Sequence, residues 1–118
     1  YAIVHAELYT TIDDLATFLT AVRTGRLVKT ETLLGLWQPF RLRNGNPGFW
    51  ASGWDYEVRG RYKQVGHDGG AVLRATIVFD DSLATGTHTY IYLTNGSATN
   101  VWSRTLIESL MSVVARKR

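Results

Sequence analysis

The sequence predicts an α+β domain, an antiparallel sheet of about four strands flanked by helices. Three observations predict it. The apolar period is helical up to about residue 39 and again near the C-terminal end. Between these stretches, from residue 50 to 94, apolar residues alternate as they do along strands. The connections between the alternating runs are short enough for hairpins, which makes neighbouring strands antiparallel.

Taken in order, Thr11 followed by Asp14 reads as a helix N-cap with an acidic partner three residues on. Ile12, Leu15, Leu19 and Val22 then share one face with Ala16 and Phe18, and Gly25 is a stop after Thr24. Thr30 is the expected cap of a second, shorter helix carrying Leu33, Leu34, Leu36 and Trp37, ended by Pro39. Asn44-Gly45-Asn46-Pro47-Gly48 has the chemistry of a loop. Trp50, Ser52, Trp54, Tyr56 and Val58 then read as one face of a strand, and Arg59-Gly60 turns the chain back through residues 61–65. Ala71, Leu73, Ala75, Ile77 and Phe79 form one face of the next strand, with Arg74 and Thr76 on the other. A loop over 80–86 leads to a strand over 88–94, and Asn95-Gly96 and Asn100 lead to a last helix. Trp102, Leu106, Leu110, Met111, Val113 and Val114 mark its apolar side. The first and last strands lie at sheet edges, and long uncharged edges invite pairing, so a further segment or a second copy of the chain is expected to cover them.

The 118 residues form one domain at most. With 45% hydrophobic and 19% charged residues the composition is that of a folded protein rather than a disordered one. The absence of cysteine excludes disulfides, zinc–thiolate sites and a cysteine nucleophile. The net charge of +3 owes much to Arg116-Lys117-Arg118, where basic residues complement a helix C-terminus. Arg41, Arg43, Arg59, Arg61 and Lys63 are scattered and form no basic stripe interleaved with aromatics, so nucleic acid is not an expected partner. No apolar run approaches the roughly 20 residues of a membrane span. The chain begins at Tyr1 without a methionine or a basic leader, so it is expected to be part of a longer one, and its compartment stays open.

The stretch with most chemistry is His67-Asp68-Gly69-Gly70, expected between two strands. A polar side chain offers a hydrogen bond, and paired glycines let a substrate carbonyl approach bare backbone N–H groups. Gly-Gly between strands is also an ordinary turn or bulge. Other segments have to decide between these readings. Leu8-Tyr9-Thr10-Thr11-Ile12-Asp13-Asp14-Leu15-Ala16-Thr17-Phe18-Leu19, Gly25-Arg26-Leu27-Val28 with Trp37-Gln38-Pro39, Ser52-Gly53-Trp54, Gly66-His67-Asp68-Gly69-Gly70 and Leu93-Thr94-Asn95 follow one another in that order. Together they resemble the C-terminal part of the serine β-lactamase-like superfamily, which includes class C β-lactamases, D-alanyl-D-alanine carboxypeptidases and related esterases. Glu7 stands where that family more usually has glycine.

The resemblance implies a single partial domain over residues 1–118, with the catalytic part upstream. It also implies acyl transfer through a serine ester, with a small acyl compound as substrate and no metal or organic cofactor. The family's Ser-x-x-Lys motif is missing: Ser52, Ser82, Ser97, Ser103, Ser109 and Ser112 have no lysine three residues on. Nor do Tyr90 and Tyr92 have Asn two residues on. The expected partner is therefore the upstream part of the same protein, or a self-paired copy. By resemblance His67 replaces the family's lysine and donates a hydrogen bond towards a substrate carboxylate or a catalytic tyrosine. Asp68 stands where Thr or Ser is common, and its charge disfavours anionic substrates. Gly69 gives clearance, and the Gly70 N–H is an oxyanion donor. Family members are often bacterial and extracytoplasmic.

Blander readings accompany these. His5 and His88 lack partners at metal-ligand spacing, and no metal site is expected. Asp13-Asp14 reads as capping and Asp80-Asp81 as turn chemistry. Trp54, with Trp50 and Tyr56, either lines a substrate pocket or fills a sheet–helix core. Arg74 is expected to be solvated or ion-paired. A rival to the hydrolase is a non-catalytic domain of the same fold that binds a partner or dimerises through its edge or aromatic strand. A third reading is an α+β domain of unrelated function.

Overall fold

A computed structural model describes residues 9–69, 73–83, 87–94 and 103–116. Gly70, Ala71, Asn95, Gly96, Asn100, Trp102 and His5, named above, lie outside them. The order is α1 (Ile12–Arg23), α2 (Thr30–Leu36), β1 (Trp50–Ala51), β2 (Trp54–Arg59), β3 (Tyr62–Gly69), β4 (Leu73–Phe79), β5 (His88–Leu93) and α3 (Ser103–Arg116). The strands form one antiparallel sheet in sequence order, so the fold is α+β with the sheet flanked by helices.

Thr11 caps α1 as its sequence predicts, its hydroxyl accepting from the Asp14 N–H at 3.1 Å. At the other end Gly25 has a φ of 76°, and the Arg26 and Gly25 N–H groups donate to the carbonyls of Ala21 and Val22. This is the crossed pair of bonds that closes a helix around a left-handed glycine. Leu19 and Val22 are buried and Leu15 partly so, while Ile12 and Phe18 remain exposed, so the buried stripe is narrower than the sequence pattern. Thr30 is not a cap. It is the first helical residue of α2, and Lys29 before it makes no side-chain capping bond.

The expected single strand from 50 to 58 is two strands. Ser52 and Gly53 both have positive φ, 51° and 86°, which makes a tight two-residue turn between β1 and β2. The sheet therefore has five strands rather than four. Gly60, at φ 60°, takes the first position of the next two-residue turn, where a glycine is required.

Register sorts the side chains onto two faces. Val65, Ala75, Ile77 and Phe79 pack with Leu19 and Val22 of α1 and with Leu33 and Trp37 at α2. The Trp37 ring lies 5.6 Å from those of Trp54 and Phe79. On the opposite face Tyr62 and Val78 pack with Met111 of α3. Arg59 also reaches Glu108 of α3 at 2.6 Å. The helices, separated in sequence, thus cover both faces of the sheet. Leu106, Leu110 and Val113 of α3 are exposed, so the apolar side of that helix is only partly used. The sheet edges are β1 and β5, as expected from the strand order. Among the described residues no helix is long and apolar enough to cross a membrane.

Candidate functional site

The residues expected between two strands belong to one of them. β3 continues through His67 and Asp68 to Gly69, paired in turn with Ala75, Arg74 and Leu73 of β4. Strand alternation then separates the two polar side chains: His67 follows Val65 on the face of α1 and α2, and Asp68 follows Gly66 on the face of α3. They do not form a dyad.

His67 stands exposed near the end of β3. Its Nδ1 is 2.7 Å from the Asp68 carbonyl oxygen. A carbonyl only accepts, so Nδ1 carries the hydrogen and Nε2 is left with its lone pair. In its neutral form the ring therefore offers an acceptor at Nε2. It becomes a donor there only when protonated, which refines the donor role implied by resemblance.

The ring beside His67 is that of Trp50, with centroids 5.4 Å apart. Phe49 meets Trp50 edge-on, also at 5.4 Å. Backbone bonds hold this aromatic pair in place. The Phe49 carbonyl accepts from the Tyr56 N–H at 2.9 Å, and the Trp50 carbonyl accepts from the Phe40 N–H at 3.4 Å. Trp54 instead turns to Trp37 and packs against the core, as does Tyr56. The sequence placed all three rings on one strand face. The turn at Ser52 and Gly53 is what assigns Trp50 to the site and Trp54 to the core.

Asp68 lies 3.2 Å from the guanidinium of Arg74, so its charge acts first on that cation rather than on a ligand beside His67. Arg74 is 0% exposed and holds Asp55 of β2 through two bonds, 2.5 and 2.9 Å. It also donates to Thr76 at 3.3 Å, and the Thr76 hydroxyl donates to the Val65 carbonyl at 2.9 Å. Burial alone would lower the Arg74 pKa, but the hydrogen bonds and charges of Asp55 and Asp68 outweigh it and raise the value. Of the two readings for Arg74, ion-paired is right and solvated is not.

Gly66 makes this arrangement fit. A Cβ there would come within 2.6 Å of the Ala75 carbonyl oxygen and the Thr76 hydroxyl, and 2.8 Å of the Arg74 guanidinium. Asp55, Gly66 and Thr76 face one another across three strands. That alignment is invisible until the register is known, and so the sequence reading missed Asp55 and Thr76. Gly69 is partly buried, with the Leu73 side chain where its own Cβ would be. Gly70, the expected oxyanion donor, lies outside the described residues. Among those residues no cluster of three or more histidines, aspartates or glutamates is placed to hold a metal.

What the site contains is one exposed imidazole with an open Nε2, a half-open aromatic pair beside it, and a strand anchored from behind by a buried ion cluster. Such a wall can orient and exchange a proton with a bound group. Neither a protein-family model, nor a curated protein, nor a solved structure matches this chain.

Proposed function

We propose that this chain is the sheet-bearing C-terminal part of a serine hydrolase acting on an ester, amide or β-lactam carbonyl. The observation that carries the reading is His67, an exposed imidazole near the end of β3 with Nδ1 engaged and Nε2 open. In the proposed reaction a serine outside these 118 residues attacks the carbonyl. Its proton passes to a base and then to the leaving group, which departs and leaves an acyl-enzyme. Water repeats the sequence and releases the acid. Neutral His67 accepts a hydrogen bond from a hydroxyl in that relay, and protonated His67 donates to a developing negative charge. Gly69 leaves its space to the Leu73 side chain, and Gly70 supplies its N–H to the oxyanion.

The test is labelling with a fluorophosphonate, which reacts with activated serines. A longer polypeptide carrying the segment before Tyr1 is expected to be labelled within a Ser-x-x-Lys motif, and this chain alone is expected to stay unlabelled. Label on Ser52 or any other serine of this chain overturns the placement of the nucleophile. No label on the longer polypeptide overturns the hydrolase.

A second reading, a non-catalytic domain that pairs with another chain, draws on the exposed Leu106, Leu110 and Val113 of α3 and on the edge strand β5. Sedimentation separates the two: a stable dimer lost on Leu110→Glu favours pairing, and a monomer up to high concentration removes it.

A further inference from the structure

We infer that Trp50 and Phe49 form an aryl-binding subsite beside His67, so that the substrates carry an aromatic or similarly flat apolar group next to the reacting carbonyl. This rests on the hydrolase reading and specifies its substrate class. Trp37, a large ring of the neighbouring core, is 1% exposed and spends its surface there. Trp50 and Phe49 keep 49% and 42% of theirs open, although they touch each other edge-on and Trp50 touches His67. Both backbones are fixed by the hydrogen bonds to Tyr56 and Phe40, so the platform is in place before a ligand arrives. A half-open tryptophan leaves on the order of 100 Å² of ring surface for a ligand. The imidazole next to it supplies the one directional polar contact, through Nε2.

The electrostatics point the same way. No acidic residue occurs from 32 to 54, and the carboxylates of Asp55, opposite Trp50 in the register, and of Asp68, next to His67, are both bound to Arg74. A flat ring bearing an amide or ester therefore meets aromatic surface and an acceptor, without a free carboxylate beside them.

The experiment is a heteronuclear NMR titration of this chain with N-methyl phenylacetamide, N-methylacetamide and N-methyl cyclohexylacetamide. These share one amide and differ in the group attached to it. The phenyl compound is expected to shift the Trp50 indole N–H and the His67 ring protons together, and to bind about ten-fold more tightly than N-methylacetamide. The cyclohexyl compound should fall between them. Trp50→Leu, which keeps apolar bulk without the flat ring, should remove most of the preference, and Trp50→Ala all of it, with backbone dispersion showing that each variant is folded. Equal affinity for the phenyl and methyl compounds, or shifts confined to Trp54, overturns the subsite. So does an undiminished preference in folded Trp50→Leu. Failure of the hydrolase reading looks different: the aryl compound still binds at Trp50 while the longer polypeptide takes no fluorophosphonate.

Discussion

On the face towards α1 and α2, β3 and β4 contribute Val65, Ala75, Ile77 and Phe79, and the packing is closed by Trp37. On the face towards α3 the same two strands contribute Gly66, Asp68, Arg74 and Thr76, and β2 adds Asp55. The first face is held by non-directional burial, tolerant of small changes in shape. The second adds, to the smaller apolar contact of Tyr62 and Val78 with Met111, charges that were taken out of water and must meet their partners in one geometry. The difference teaches a division of labour. The apolar face stabilises the domain, while the charged face fixes the register of β3 and so the position at which His67 emerges. Gln64, on the same face, departs from this pattern, being 1% exposed with neither end of its amide hydrogen-bonded among the described residues.

The largest effect should come from breaking the ion cluster alone. Arg74→Met leaves Asp55 buried without a partner and is expected to cost about 3–5 kcal/mol in urea unfolding. Adding Asp55→Leu should recover most of that loss, because two apolar residues of similar size need no partner. If the double variant is as unstable as Arg74→Met, the cluster does more than satisfy its own charges, and the comparison of faces fails.

Gly66→Ala is next, at about 1–3 kcal/mol, since the new methyl meets the Ala75 carbonyl, which belongs to the backbone and cannot swing away. Thr11→Ala, remote from both faces, should cost about 1 kcal/mol through the lost helix cap. The smallest effect concerns Tyr90, beside Tyr62 and Met111 in the cleft under α3. Burial first, and the neighbouring Tyr62 second, raise its phenol above the ordinary value. The folded state thus keeps a proton that the unfolded chain gives up. The stability this brings is complete below about pH 10 and is lost as pH rises through the folded value. Tyr90→Phe should therefore make the alkaline fall in stability shallower. An unchanged slope would mean that Tyr90 is not shielded.

Much of this was legible in the sequence. Period two over β4 and the Thr11–Asp14 pair located elements correctly because each is a local pattern with a local cause. The split between β1 and β2 was not legible: Ser52 adopts a positive φ that its residue type does not announce, and a continuing alternation of Trp50, Ser52 and Trp54 concealed the turn. At the site, His67 could be singled out by its neighbours, but its open aromatic partner could not, because the pairing of Trp50 with His67 depends on that turn. Arg74 was placed on the correct face, yet its full burial follows from Asp55 and Gly66, residues 19 and 8 positions away that only the sheet register brings together.

The most direct test of the central claim is turnover of an aryl ester by a polypeptide that joins this chain to the proposed upstream serine and carries His67→Ala, folded as judged by its unfolding midpoint. The account predicts that kcat/KM falls by about 10²–10⁴-fold, the usual contribution of a positioned proton-transfer or hydrogen-bonding group. Turnover unchanged from the parent would contradict it and leave His67 an ordinary exposed residue of β3.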